Sequence, residues 1–272
     1  MSSREYFEVE PGLRLHVRDW GKGKPIVFIH GWPLSDEMWE YQFTELPQKG
    51  YRCVAISLRG FGKSDQPWGS YSYDLFADDI KKVLGPLAAG EVTLGGFSMG
   101  GAIALRYMAR HGGAHVKKLV LFAAAAPVWI KRPDFPQGGL DRAAVDDLIK
   151  LCNTDRAQLM ENFGKIFFRS EDAVGRRLAD WLFAINMQAS PHATAACLAA
   201  LRDADLRKDM AAVKVPTAIF HGAKDKICPF TLAEVMAKGI AGARVIRFEN
   251  SGHGLFFEEK EKFNKELAAF AA

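Results

Sequence analysis

The stretch Glu91-Val92-Thr93-Leu94-Gly95-Gly96-Phe97-Ser98-Met99-Gly100 decides how this chain folds. Its first half reads as a short buried strand, and Gly101 to Arg110 that follows has a helical period and good helix formers. Between them, Gly96-Phe97-Ser98-Met99-Gly100 fits the G-x-S-x-G pattern. A serine at the tip of such a strand-to-helix turn is held in strained geometry with its hydroxyl exposed above the sheet. The glycines are required because side chains there would collide with the neighbouring strand and helix. The pattern is common by chance, and its place between strand and helix makes Ser98 a candidate nucleophile.

A serine hydroxyl is a weak nucleophile at neutral pH. It needs a histidine base, an acid to orient that base, and N–H donors for the oxyanion. On a strand–turn–helix scaffold the partners follow in the order Ser, Asp or Glu, His. His253 lies in Asn250-Ser251-Gly252-His253-Gly254, a loop between a strand (Arg244 to Phe248) and a C-terminal amphipathic helix. His221 ends the apolar run Thr217-Ala218-Ile219-Phe220 and reads as a structural residue at a strand end. In His221-Gly222-Ala223-Lys224-Asp225-Lys226-Ile227-Cys228-Pro229 the one carboxylate is Asp225, before a helix starting near Phe230. A solvated turn aspartate is the plainer reading, and its place between Ser98 and His253 favours the catalytic one. Asp203, Asp205 and Asp209 compete by chain order, but their helical, charged surroundings predict exposed-face residues. The oxyanion donors are expected from the backbone N–H of Met99 and from that of Trp32, in the loop His30-Gly31-Trp32-Pro33-Leu34 after the strand Pro25 to Ile29. Pro33 has no N–H to offer. His30 is expected to be buried and to brace this loop.

Strands near Leu13–Asp19, Pro25–Ile29, Cys53–Ser57, Val92–Leu94 and Lys118–Phe122 alternate with helices, which implies a mostly parallel sheet. From Pro127 to Ala212 the pattern becomes a run of helices, and strand pattern resumes at Val215. We therefore expect an α/β core from residues 1–126 and 213–272 and a helical cap from 127–212. Pro47 should end or kink the helix after Trp39. With 272 residues and 49% hydrophobic content, the chain can bury one large core. A net charge of +4 with basic and acidic residues interspersed argues against a nucleic-acid or anionic-membrane partner. No apolar run approaches the roughly 18 residues that span a bilayer, and Met1 to Glu5 carries no apolar signal core, so a cytoplasmic location is expected. The four cysteines are scattered and read as free thiols, Cys228 near the site but without a chemical role. His111 and His115 are separated by helix-breaking glycines and do not suggest a metal pair. No metal or cofactor is expected, and a homo-oligomer is compatible with the sequence.

Taken together, these segments resemble the α/β-hydrolase superfamily, more narrowly its bacterial aryl esterase and cofactor-free haloperoxidase (perhydrolase) branch. The resemblance runs nearly the whole chain. It includes His30 to Leu34, Met38-Trp39-Glu40-Tyr41-Gln42, Arg59-Gly60-Phe61-Gly62-Lys63-Ser64-Asp65-Gln66-Pro67-Trp68, the serine turn, Arg132 to Gly138, the Asp225 loop and Gly252-His253-Gly254. It implies an α/β-hydrolase fold, a mostly parallel central sheet with helices on both faces and an inserted helical cap. It also implies esterase activity, with Ser98, Asp225 and His253 as triad and Trp32 and Met99 as oxyanion donors. One position departs from the pattern. Similar proteins carry aspartate at the first position of Asp-x-Arg-Gly, where this chain has Ser57, which leaves open how Arg59 and its loop are held.

The expected substrate is a small acyl or aryl ester held by Trp32, Met99, Trp129, Phe163, Phe167 and Ile227, the cap aromatics making an enclosed apolar pocket. Recognition of a charged carboxylate would need Lys131, Arg132, Arg169 or Arg176 to point inward. Two other readings compete with plain ester hydrolysis. Hydrogen peroxide could replace water at the acyl-enzyme, an activity that Pro33 after Trp32 favours among similar proteins. A non-catalytic small-ligand receptor could use the same fold. Dehalogenases and epoxide hydrolases that resemble this fold carry aspartate at the position of Ser98.

Overall fold

Strand β5 (Val92–Phe97) is buried at every residue and lies at the centre of an eight-stranded sheet. The other strands are β1 (Tyr6–Glu10), β2 (Leu13–Gly21), β3 (Lys24–Ile29), β4 (Tyr51–Ile56), β6 (Val116–Phe122), β7 (Thr217–Gly222) and β8 (Arg244–Phe248). A computed structural model describes residues 5–87 and 90–272. Residues 1–4, part of the amino-terminal stretch read as lacking a signal core, lie outside the described residues. The strand order is β1-β2-β4-β3-β5-β6-β7-β8, antiparallel for β1–β2 and β2–β4 and parallel for the rest. The chain winds outward from β3 to β4, then returns to place β5 on the other side of β3. The carboxyl ends of β3 and β5 thus flank a reversal of strand order, where open α/β sheets form their crevices.

Helices cover both faces. On one, α2 (Tyr73–Leu87) packs on α3 (Met99–His111), and α3 and α8 (Phe230–Gly239) both touch the short turn Asp209–Ala212. The other face carries α1 (Glu40–Glu45), α9 (Leu255–Glu258) and α10 (Lys260–Ala271). There the fully buried Trp39 is ringed by Phe28, Phe256 and Phe122, with centroids 4.9, 5.3 and 5.7 Å away. Pro47 acts as the sequence predicts: α1 ends at Glu45 and a 3-10 turn continues from Pro47 to Lys49. Likewise α3 stops at His111, before Gly112 in the left-handed region. Between β6 and β7 the chain inserts α4 (Arg142–Thr154), α5 (Arg156–Phe167), α6 (Arg176–Gln188) and α7 (Pro191–Asp203). Asp141, Asp155 and Ser190 cap the first, second and fourth of these through side-chain oxygens that accept from backbone N–H groups. No described helix is long and apolar enough to cross a membrane.

The serine at position 57 has a structural counterpart. Its Oγ donates to Oδ1 of the buried Asp36 at 2.5 Å, and Asp36 also accepts from His16 Nδ1 at 3.2 Å and faces Arg18 Nε at 3.6 Å. A carboxylate therefore does stand at the end of β4, supplied by residue 36. Burial pushes the Asp36 carboxyl up, but the hydrogen bonds from His16 and Ser57 and the charges of His16 and Arg18 outweigh it and hold it below the ordinary value. Arg59 does not depend on position 57. Its Nε and Nη2 form a fork onto Asp79 at 2.6 and 2.7 Å, and Nη2 also reaches Glu10 at 2.6 Å.

Two outcomes follow from these buried charges. Asp79 is fully buried whereas Glu10 is 41% exposed. Asp79→Asn should cost about 3 kcal/mol in urea unfolding, because it removes the buried carboxylate from Arg59 and leaves only the half-exposed Glu10 beside that charge, and Glu10→Gln should cost under about 1 kcal/mol. Ser57→Asp should set a second carboxylate against Asp36, so that one of the two keeps its proton in the folded state. The folded pKa is then raised above the unfolded one, and the variant's deficit relative to the parent should be present at pH 8 and shrink as pH falls towards 5. Urea titrations of both proteins at the two pH values measure it.

Candidate active site

Ser98 follows directly on β5 with φ 53° and ψ −116°, a backbone region that residues other than glycine seldom occupy. The turn is locked on both sides. The Ser98 N–H donates to Phe122 O at 2.9 Å, and its carbonyl accepts from the N–H groups of Gly101, Ala102 and Ala125. A Cβ on Gly96 would stand 2.3 Å from Gly100 O, and one on Gly100 would stand 2.4 Å from His30 O. Side chains at either place would force the strand, the helix and the β3 loop apart.

Asp225 lies just past β7. Its Oδ1 accepts from the N–H groups of Ile227 and Cys228, both at 2.8 Å, and Oδ2 accepts from His253 Nδ1 at 2.7 Å. An ionised carboxylate can only accept, so Nδ1 carries the imidazole proton and Nε2 keeps its lone pair. That Nε2 is buried and has no hydrogen-bond partner among the described residues. The ring lies 4.6 Å from Phe97, the residue before Ser98, and edge-on to Phe167 at 5.5 Å. The histidine loop is clamped by Glu258, whose buried carboxylate accepts from the N–H of Gly252 at 2.7 Å and of Arg169 at 2.9 Å. Burial pushes this carboxyl above the usual range, against those two N–H groups. Nothing in the sequence marked Glu258, which ends α9 and opens an ordinary charged run.

The β3 loop is braced by His30, as its sequence context predicts. Leu58 N–H donates to His30 Nε2 at 2.9 Å, so Nδ1 carries the proton and donates to Gly31 O, also at 2.9 Å. Full burial lowers the His30 pKa to about 4 and keeps the ring neutral. The Gly31 carbonyl also accepts from Leu34 N–H. Because the Gly31–Trp32 peptide is planar, fixing that carbonyl points the Trp32 N–H the opposite way. Among the described residues neither the Trp32 nor the Met99 N–H has a protein acceptor. Met99 opens α3, so its N–H also lies at the positive end of a helix dipole.

A pocket of about 130 Å³ holds Ser98, and Trp32, Trp129, Phe163 and Ile227 line it. The Trp32 indole N–H donates to Thr194 O on α7 and that of Trp129 to Ile227 O, which turns both rings onto the wall. Two expected wall residues are elsewhere. The Met99 side chain is fully buried and is not on the pocket wall. Phe167 packs against His253 and Phe168 and lines a separate cavity of about 400 Å³ between α5 and α6. Most of the rest of the serine pocket is aliphatic, from Leu140, Leu148, Leu159, Leu198 and Leu201 with Asn162 among them, so the wall is less aromatic than the sequence suggests. Leucines three apart on α7 were the only available signal. Lys226 is the one cation on this wall among the described residues. Arg132 and Arg169 are turned onto backbone carbonyls, and Arg176 is exposed.

His221 is buried, with its pKa lowered by burial, and its Nε2 donates to Cys228 O. Burial pushes the Cys228 thiol well above its ordinary value, so it stays a neutral thiol. Asp203 and Asp205 pair with arginines at the surface. Asp209, expected on an exposed face, is instead buried in a 3-10 turn against Arg106. The turn packs on α3, which its charged flanks concealed.

The sequence model of the alpha/beta hydrolase fold matches residues 24–260. The chain is 48% identical over 266 residues to the AB hydrolase superfamily protein YisY of Bacillus subtilis (strain 168), covering 98% of each. Among solved structures, an esterase from Exiguobacterium antarcticum superposes with a TM-score of 0.94 at 43% identity, covering 98% of each chain. A bromoperoxidase from Bacillus anthracis superposes with a TM-score of 0.94 at 36% identity, covering 97% of this chain and 98% of that one. The serine turn, the sheet order and these relatives agree: the chain belongs to the α/β-hydrolase superfamily, in the branch that contains esterases and cofactor-free haloperoxidases.

Proposed function

We propose that this hydrolase is a serine carboxylesterase acting on esters with a small acyl group, aryl esters included. The observation that carries the reading is the Asp225–His253 pair, which leaves His253 Nε2 as a free base buried beside the turn that presents Ser98. In this reading His253 Nε2 takes the proton of Ser98 as Oγ attacks the ester carbonyl. The negative charge on the carbonyl oxygen is met by the N–H groups of Trp32 and Met99. The tetrahedral intermediate collapses, His253 gives its proton to the leaving alcohol or phenol, and an acyl-serine remains. Water then attacks with His253 as base, and the acid leaves. Asp225 holds the imidazole in the required tautomer and stabilises the imidazolium as it forms.

The size of the serine pocket supports the small acyl group. At about 130 Å³ it is slightly smaller than the engineered 150 Å³ protein cavity that takes up benzene. Its wall is mainly hydrocarbon, with Asn162 and Lys226 as polar side chains beside Ser98, which suits an unsubstituted acyl chain.

A second reading has its own support. The bromoperoxidase similarity suggests that hydrogen peroxide can replace water at the acyl-serine, giving a peracid that oxidises halide without a cofactor. The same residues would serve both acceptors, with Pro33 stiffening the loop beside the Trp32 donor.

Ser98→Ala should abolish hydrolysis of p-nitrophenyl acetate while leaving the thermal transition close to that of the parent, and an organophosphate should label Ser98 in the parent alone. Asp225→Asn should lower kcat about 10⁴-fold, as loss of the buried triad aspartate does in serine proteases, and Asp205→Asn should change it little. Substantial turnover by Ser98→Ala, or the reverse order of the two aspartate variants, would sink the assignment. With peroxide present, the parent should form peracetic acid from an acetate ester, read by halide oxidation, and Ser98→Ala should not. No peracid from an active parent would leave hydrolysis alone.

A further inference from the structure

The pocket that holds Ser98 is graded from floor to mouth. Ser98, Trp32 and Trp129 are buried, whereas Asn162, Ile166 and Lys226 are exposed, which places these three at the mouth. Among the described residues Lys226 is the only charged one in this lining, so no carboxylate of the wall offsets it. Its ammonium also makes no ion pair or hydrogen bond among those residues. Asn162 adds a second donor. Its Oδ1 accepts from Gln158 Nε2 at 3.1 Å, while its own N–H groups have no protein acceptor. Glu161, the residue before it, is held by Lys165 at 2.9 Å and lines the cavity between α5 and α6 instead.

The backbone that carries Lys226 is fixed independently of its side chain. Asp225 Oδ1 accepts from the N–H groups of Ile227 and Cys228, and Ile227 O accepts from the Trp129 indole. A lysine rooted there can lay its stem along the apolar wall and keep its head in water. An acyl chain bound at Ser98 would run along the leucines, and its far end would reach these donors. A carboxylate suits that end, because it accepts from both and keeps part of its hydration at an exposed mouth. An ammonium at the same end would face Lys226 and is disfavoured.

Resting on the esterase reading above, which seats the acyl group in this pocket, we propose that the substrates are half-esters of short dicarboxylic acids. Lys226, assisted by Asn162, selects them by pairing with the distal carboxylate.

Monomethyl glutarate and monomethyl adipate test this against their neutral isosteres, methyl 5-methylhexanoate and methyl 6-methylheptanoate, with acid release followed by pH-stat at about pH 7.5, where a carboxylate is ionised. At low salt the parent should favour the half-ester in kcat/KM for at least one pair. Lys226→Met should lower the anionic-to-neutral ratio about fivefold, the upper range of an exposed ion pair, and Lys226→Arg should retain most of it. Raising salt from about 10 mM to about 1 M shortens the screening length from about 30 Å to about 3 Å, and should erode the ratio in the parent but not in Lys226→Met. A parent that prefers the neutral ester in both pairs, or a ratio that Lys226→Met leaves unchanged, overturns the proposal. Calorimetry on Ser98→Ala protein gives a measurement independent of turnover. Monomethyl glutarate should bind it more tightly than methyl 5-methylhexanoate does, and adding Lys226→Met should remove the difference. No difference overturns the anion site. A difference that Lys226→Met removes, found with a parent that hydrolyses no ester, sinks the esterase reading and leaves the anion site standing.

Discussion

Everything at this site depends on one backbone constraint, the turn that carries Ser98 from β5 into α3 at positive φ. The turn is tenable because Gly96 and Gly100 bring strand, helix and β3 loop to distances that a Cβ would forbid. Strained backbone persists only where its surroundings over-determine it. Here a donor from Ser98 to β6 and three acceptances by its carbonyl do so. The gain is directional. Residue 98 stands clear of the sheet edge, the next N–H heads a helix, and the loop after β3 lies against both.

The second condition is that the histidine and the helical insertion are not independent parts. Phe167 O accepts from Gly254 N–H, Glu258 bridges Gly252 and Arg169, and the Phe167 ring abuts His253. The end of α5 is therefore built into the histidine loop. Trp32 makes the matching tie on the side of the β3 loop through its indole N–H to α7. The two flanks of the candidate site are thus each anchored to a different helix of the insertion. A displacement of those helices would move His253 and the Trp32 N–H together with the pocket wall.

The sheet and the three candidate catalytic side chains were legible because their signals are local. Ser98 is marked by glycines within two residues, and His253 by glycines on either side in a loop after a strand. Asp225 is marked by chain order and by the turn that follows β7. The pocket wall was not legible, because it depends on how four helices rotate against the sheet. Phe163 and Phe167 share a helix face, yet one turn of α5 is enough for Phe163 to reach the serine pocket while Phe167 lines only the larger cavity. The same limit applies to Asp36 and Ser57. They are 21 residues apart and meet because β2, β4 and the β3 loop converge, and a missing carboxylate at one place is answered from another.

That last pair shows why a departure from a family pattern is poorly judged position by position. A buried carboxylate is tolerated only with donors or cations around it, and the middle of β2 and the end of β4 supply His16, Arg18 and Ser57 to one such place. The physical requirement is one negative charge among those donors, whichever chain segment delivers it. Asp36 meets that requirement from the β3 loop. The loop that holds Trp32 therefore gains an anchor that an aspartate at position 57 would place on the sheet. The same segment then fixes both the Gly31 carbonyl, through His30, and its own far end, through Asp36. Serine at position 57 is in this sense part of the loop's own bracing.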